Sequence, residues 1–302
     1  MEQVNKRLIS PVVISTALGP DGRGIFPYTL LPGYRRLQAA VRDTGTTVIA
    51  KSATRHRRVG NFIPASPFTW RYIRRLRGKG MLNAYGLTNQ GAEACCRAIR
   101  QSCDAGFGVI PNLYPEFIKG TAQAIRETLE AVELFQQGLG PHFRALELNF
   151  SCPNSEEAIA RNVVQALQCT RKVRSLYPSL YLITKLSICH PYEFAMELER
   201  IGVNAIHAVN TIPYGIVFPL QRSPLQAVGG GGVSGGPAFP LAVQYNAELR
   251  TKVGLFLIMG CGVTGREDVQ RYFDLGADAV SLCTVVLRKP HEAARIVAAY
   301  NG

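Results

Sequence analysis

Short apolar runs alternate with longer amphipathic ones along most of the chain. The runs Thr47–Lys51, Gly106–Asn112, Ala145–Asn149, Leu180–Leu186, Ala205–Asn210, Leu255–Gly260 and Ala277–Cys283 are β-rich and end in small or polar residues. Runs of this length and character predict buried strands. The N-terminal stretch Val13–Gly19 reads as a further one. The intervening segments have helical period. Thr121–Gln137 places Ala122, Ile125, Leu129, Val132 and Phe135 on one face, and Gly138 reads as its stop. Glu156–Leu176 follows Ser155 as N-cap and has two acids in its first turn. Pro191–Ile201 and Arg266–Leu275 are similar, and Thr264 with Glu267 has capping-box spacing ahead of the latter.

Alternating strand and helix implies parallel pairing. About eight such units fit one closed barrel better than two open sheets. No Pro-, Ser- or charge-rich linker divides the chain, and there is no strict internal repeat. The expected fold is therefore α/β, a single TIM (β/α)8 barrel domain over residues 1–302. Its active site is expected at the C-terminal ends of the strands, with the glycine-rich stretch Val228–Gly236 as a loop on that face.

Composition narrows the class. Hydrophobic residues make up 47% and charged residues 18%, which excludes wholesale disorder. No apolar run approaches the roughly 18 residues of a membrane span, and the first residues lack the apolar stretch of a secretion signal. A soluble, cytoplasmic protein with no membrane partner is expected. The eight cysteines form no Cys-x-x-Cys pair, so no metal site is expected. The net charge of +13 gathers in Arg55–Arg58 and in Arg71, Arg74, Arg75, Arg77 and Lys79. Stacking aromatics are not regularly interleaved with these charges, which favours a solvated loop and helix face over nucleic-acid binding.

Polar residues at the strand ends carry the chemistry, because a barrel collects its chemistry there. Lys51, Asn149, Lys185 and Asn210-Thr211 each close a predicted strand. Two lysines and several carboxamides at one mouth suit an anionic, amide-rich ligand. Gly260-Cys261-Gly262 follows one strand and Cys283-Thr284 ends the next, the usual place for a phosphate in this fold.

The run Glu147-Leu148-Asn149-Phe150-Ser151-Cys152-Pro153-Asn154 resembles the signature of class 1 dihydroorotate dehydrogenases. Lys51-Ser52-Ala53-Thr54 with Gly60-Asn61 and Pro64, the loop Asn83–Gly91, Lys185, Asn210-Thr211, Gly231–Gly235 and Gly260–Gly262 continue the likeness in order, over roughly residues 10–290. The resemblance implies an FMN enzyme that oxidises dihydroorotate to orotate in pyrimidine biosynthesis. Cys152 would be the base at C5, with Lys51 beside the reacting ring and the C6 hydride passing to flavin N5. Asn83, Asn149, Asn154, Asn210 and Thr211, with the amides of Tyr85, Gly86 and Leu87, would hold the substrate. Ala17, Gly19, Lys51, Ser52, Asn149, Lys185, Asn210, Gly235, Gly260, Cys261, Gly262, Cys283 and Thr284 would hold FMN.

Class 2 members carry serine at the base position and an N-terminal helical extension for which this chain has no room, so class 1 is favoured. Its members work as homodimers using fumarate or with an FAD and iron–sulfur subunit using NAD. Asn83–Gly86 and Val233–Pro237 lean towards the second branch. The chain departs from the family at Val13–Gly19, at Ala238-Phe239-Pro240, at Cys261 and Cys283, where glycine is frequent, and after Asn154. The alternatives are a dihydrouracil-type dihydropyrimidine dehydrogenase, a tRNA-dihydrouridine synthase and a non-catalytic barrel subunit. Asn154 with Lys51 favours a carboxylated ring over the first. The Asn-Phe-Ser-Cys-Pro loop and the missing C-terminal helical domain count against the second, and the retained Cys152, Lys51 and Lys185 against the third.

Overall fold

The structure is a computed structural model and describes residues 8–25, 28–151 and 162–302. Its strands in chain order are β1 (Val12–Ser15), β2 (Thr47–Ile49), β3 (Ile73–Leu76), β4 (Gly80–Asn83), β5 (Gly108–Ile110), β6 (Asn112–Leu113), β7 (Ala145–Asn149), β8 (Tyr181–Lys185), β9 (Ala205–Ala208), β10 (Ile212–Pro213), β11 (Gly232–Ser234), β12 (Phe256–Gly260) and β13 (Ala279–Leu282). Nine of them pair in the order β5-β2-β1-β13-β12-β9-β8-β7-β6, every pair parallel. Between β5 and β6 lies only Pro111. Proline has no N–H to give a ladder, yet its carbonyl accepts the Glu147 amide at 2.9 Å. The two short strands are thus one stave broken at Pro111, and the barrel closes with eight.

The two-residue period of a strand gives the interior its layers. Val13, Ile49, Ile110, Ala145, Ile183, Ala205, Ile258 and Ala279 form one buried apolar cluster towards the N-terminal ends. Two residues further along every stave stand Ser15, Lys51, Asn112, Glu147, Lys185, His207, Gly260 and Ser281. The barrel is therefore apolar below and polar above. A larger core lies between the barrel and its helices. The helix Pro32–Asp43 buries Gly33, Tyr34, Leu37 and Val41, one face of a 3.6-residue repeat. Asn301, ending the last helix, donates to the Val12 carbonyl at 2.7 Å and accepts its amide at 2.9 Å, which fastens the end of the chain to its first strand.

Several expectations need correcting. Gly138 does not stop its helix, which runs Thr121–Leu139 and ends at Gly140, φ +54°. Gly138 is small for packing: a Cβ there would lie 2.4 Å from Cys96 Sγ. The partner of Thr264 is Asp268, whose carboxylate accepts the Thr264 amide at 2.7 Å and hydroxyl at 2.8 Å. The helix expected over Glu156–Leu176 is seen as Val163–Leu176 after a non-helical Asn162, and Ser155 lies outside the described residues. The stretch Val228–Gly236 is not merely a loop. It carries β11, which joins β10, β4 and β3 in an antiparallel sheet of order β10-β11-β4-β3. Ile73, Met81, Asn83 and Ser234 of this sheet wall the cavity at the barrel mouth. The basic residues of Arg71–Lys79 are exposed as expected, but only Arg71 is helical, in the short 3-10 turn Pro67–Tyr72; Arg74 and Arg75 sit on β3, an edge strand whose charges also discourage edge-to-edge pairing. Arg55 and Arg58 are tied to Glu130 at 2.9 Å and Glu116 at 2.7 Å.

Candidate active site

The C-terminal ends of the staves and the small sheet enclose about 1300 Å³, open space at the mouth included. Ala17, Lys51, Ser52, Asn83, Tyr85 and Leu87 line it, as do Asn149, Lys185, Asn210, Thr211, Cys261, Gly262, Cys283 and Thr284. Of the glycines singled out in the sequence, Gly19, Gly86, Gly235 and Gly260 are not part of this lining. They shape it instead: the Gly19 carbonyl accepts the Lys51 amide at 2.9 Å. Cys152 and Asn154 lie outside the described residues.

One end of the cavity is built around Lys51 and the loop after β4. Lys51 Nζ stands 3.6 Å from the centre of the Tyr85 ring, a cation–π contact. Phe62 packs on the same ring, centroids 4.9 Å apart. Burial pushes the Tyr85 phenol well up, so it stays neutral. Gly86 and Leu87 follow with φ of +75° and +59°. Buried Asn89 holds this turn by donating to the Leu87 carbonyl at 2.7 Å. The amides of Tyr85, Gly86 and Leu87 meet no acceptor among the described residues.

The carboxamides fix Ser151. Asn149 donates to Ser52 Oγ at 2.8 Å and accepts the Ser151 amide at 3.0 Å and hydroxyl at 2.7 Å. Asn210 donates to the Ser151 carbonyl at 3.0 Å and accepts the Thr211 amide at 2.8 Å. Ser151 is thereby pinned from two staves, one residue ahead of Cys152.

The floor is the polar layer. Lys185, 4% exposed, donates to Ser15 Oγ at 2.9 Å. Glu147, fully buried, accepts from Asn112 through Oε1 and meets His207 Nδ1 at 2.6 Å through Oε2. Burial opposes charge on Glu147, but the Lys185 charge and the hydrogen bonds from His207 and Asn112 outweigh it and hold the carboxyl below its usual range. Burial, then the Lys185 charge, hold the His207 imidazole below its own, against the pull of Glu147. Both directions favour a carboxylate facing a neutral imidazole; in that state Nδ1–H donates to Glu147, and Nε2, 2.9 Å from Ser281 Oγ, accepts its hydroxyl.

The opposite end is a cradle of turns. A Cβ on Gly262 would fall 2.5 Å from Phe239 Cα, and one on Gly235 would fall 2.4 Å from the Lys79 carbonyl. Tyr272 holds the turn through its hydroxyl, 2.8 Å and 2.6 Å from the carbonyls of Gly260 and Cys261. Cys261 occupies the left-handed region at φ +71°, which favours glycine. Burial pushes its thiol up to about 12, so it adds no negative charge. Thr284 donates to Ser234 Oγ at 2.8 Å. The amides of Gly262, Val263 and Thr284 meet no acceptor among the described residues.

The profile of a family described as dihydroorotate dehydrogenase matches residues 35–299. The chain belongs to the dihydroorotate dehydrogenase family. Relatives named "Dihydroorotate dehydrogenase B (NAD(+)), catalytic subunit" agree. The one from Oceanobacillus iheyensis is 30% identical over 248 residues, 80% of this chain and 76% of that protein. The one from Anoxybacillus flavithermus is 27% identical over 281 residues, 91% and 85%. The one from Bacillus pumilus is 28% identical over 300 residues, 92% and 88%.

Sequence reasoning passed over Ser15, Thr16, His207 and Ser281, all in the lining, and gave Glu147 no role. A signal was present. In Leu146-Glu147-Leu148, Ile206-His207-Ala208 and Val280-Ser281-Leu282, a polar residue interrupts a strand that burial makes apolar, and buried polar groups are the informative ones.

Proposed function

We propose that this member of the family is an FMN-dependent dihydroorotate dehydrogenase of the class 1 type, oxidising dihydroorotate to orotate. The observation that carries the reading is the convergence of Lys51, Lys185 and the carboxamides of Asn83, Asn149 and Asn210 on one cavity. The far end of that cavity offers amides that meet no acceptor among the described residues, between two turns that admit no Cβ. A nucleotide flavin needs this combination: cations and amides for its ring, glycine turns and amides for its phosphate. Gly235, Gly262, Cys283 and Thr284 would hold the phosphate end, with Lys185 at the ring.

When bound, FMN supplies the hydride acceptor for C6 of the substrate. The protein's own residues do the rest. Lys51 and the amides of Tyr85, Gly86 and Leu87 bind the substrate carboxylate; Asn83, Asn149, Asn154 and Asn210, with Thr211, orient the ring. Cys152 accepts the C5 proton as general base, work suited to a group with a reference pKa of about 8.5. Asn149 and Asn210 hold Ser151, and so set where the base loop starts. We propose further that electrons leave through an FAD and iron–sulfur subunit, on a homodimer of this chain; the relatives' names, catalytic subunits of an NAD enzyme, support a partner subunit and NAD as acceptor.

The test is an anaerobic titration of the flavin-loaded protein. Dihydroorotate should bleach the flavin band and dihydrouracil should not. Bleaching by dihydrouracil alone moves the chain to pyrimidine degradation, and bleaching by neither refutes the proposed substrate.

A further inference from the structure

The polar layer contains a carboxylate and a lysine that do not pair. Glu147 and Lys185 stand on adjacent staves facing the same interior, Glu147 opposite Ile183 and Lys185 opposite Asn149. An oppositely charged buried neighbour is what a buried lysine ordinarily takes as its partner. Yet among the described residues no acid lies within ion-pair distance of Lys185 Nζ, which donates to the neutral Ser15 hydroxyl. Glu147 is occupied instead: Asn112 takes one oxygen and His207 the other. His207 sits across from Lys185 on β9, and Ser281 holds its far nitrogen in place. His207 and Ser281 line the cavity beside Lys185.

We propose that His207 is a positioning residue that withholds the Glu147 carboxylate from Lys185, leaving the lysine's charge to act on whatever occupies the cavity above it. This deepens the FMN reading and rests on it for the identity of that occupant. The carboxylate balances the buried charge at a distance without quenching it in a closed pair. The neutral state of His207 is part of the device. An imidazole donating through Nδ1 and accepting through Nε2 satisfies both neighbours without adding a second positive charge to the layer. Among the described residues, the other titratable groups facing the cavity are Lys51, Tyr85, Cys261 and Cys283.

The midpoint potential of bound FMN reads the charge that Lys185 presents, because reduction adds negative charge to the ring. In His207→Leu, Glu147 is released to pair with Lys185. The reduced form should lose about tenfold in equilibrium constant, a fall of about 30 mV for the two-electron couple. His207→Gln keeps an N–H donor for Glu147 and should recover most of the difference. Glu147→Gln with His207→Leu removes the competing carboxylate and should return the potential to the wild-type value or above. A His207→Leu potential equal to wild type overturns the proposal, as does a double variant no higher than His207→Leu. ¹⁵N NMR of the flavin-free protein gives an independent reading. His207 should be neutral and protonated on Nδ1 at about pH 7 to 8, and a doubly protonated or Nε2-protonated ring sinks the proposal. Wild-type protein that takes up no FMN would refute the cofactor reading, and the NMR result would then decide the positioning role by itself.

Discussion

Gly260 separates two accounts of one residue. Its place in the sequence suggests a phosphate turn. The structure puts it in the polar layer, the one stave there with no side chain, and a Cβ would lie 1.9 Å from Ser281 Oγ. Ordinary contacts begin near 3.4 Å, so in Gly260→Ala the hydroxyl must swing away. It then loses the 2.9 Å bond to His207 Nε2, at about 1–2 kcal/mol for a buried bond left half made. Crowding against Ser281 Cβ and its carbonyl, at 3.2 Å and 3.3 Å, adds about 1 kcal/mol. The alanine returns about 0.5 kcal/mol by restricting the unfolded chain. The net expectation is a loss of about 2 kcal/mol in unfolding free energy from urea denaturation of the flavin-free protein. Ser281→Ala alone should cost about 1 kcal/mol, the price of an unsatisfied imidazole nitrogen. The double variant should lie within about 0.5 kcal/mol of Ser281→Ala, because the clashing oxygen has gone and only the crowding against the residue-281 Cβ and carbonyl remains. Strictly additive losses would refute the packing account. Unchanged stability in Gly260→Ala with weakened FMN binding would return the residue to the phosphate site.

Three further perturbations bear on Tyr85, His190 and Gly138. Tyr85→Phe keeps the ring beneath Lys51 and should leave the dihydroorotate KM within about twofold. Tyr85→Leu removes a contact of about 1 kcal/mol and should raise KM roughly five- to tenfold; equal KM values in steady-state assays would show that the ring does not hold the lysine. Burial pulls the His190 pKa down from 6.5 to about 4, and the Ser187 amide donates to its Nδ1 at 3.0 Å, a bond only the neutral ring can accept. Its contribution is therefore complete above pH 6.5 and drains away as pH falls towards 4, by up to about 3 kcal/mol. His190→Asn keeps the acceptor without the titration, so its urea midpoint should fall less than wild type between pH 7 and 5; identical slopes would contradict the assignment. Gly138→Ala should destabilise by about 1–2 kcal/mol through Cys96 Sγ at 2.4 Å. Adding Cys96→Ala leaves the new Cβ 3.9 Å from that residue's Cβ and should recover most of the loss, helped by about 1 kcal/mol of helix propensity; a melting temperature that does not recover would refute it.

The parts of the site that were legible in the sequence share one property, position at the end of an apolar run. Lys51, Asn149, Lys185 and Asn210 stand where a strand must stop, and in a parallel barrel all such ends meet on one face. The architecture followed from the same alternation, since strands separated by helices can pair only in parallel. The small sheet over the mouth was not legible. β3 and β11 are short and rich in arginine or glycine, and their pairing joins residues as distant as Asn83 and Gly232, which no local period encodes. The layer beneath the cavity is an intermediate case. Each strand's inward positions can be counted by twos, but only the closed barrel brings Asn112, Glu147, His207 and Ser281 from four separate staves into one hydrogen-bonded chain. Taken singly, each is an awkward polar residue in an apolar strand, costly unless partnered. Together they satisfy one another and leave Lys185 facing the cavity. The residues that look least favourable to the fold one at a time are therefore those through which the barrel interior bears on the chemistry proposed at its mouth.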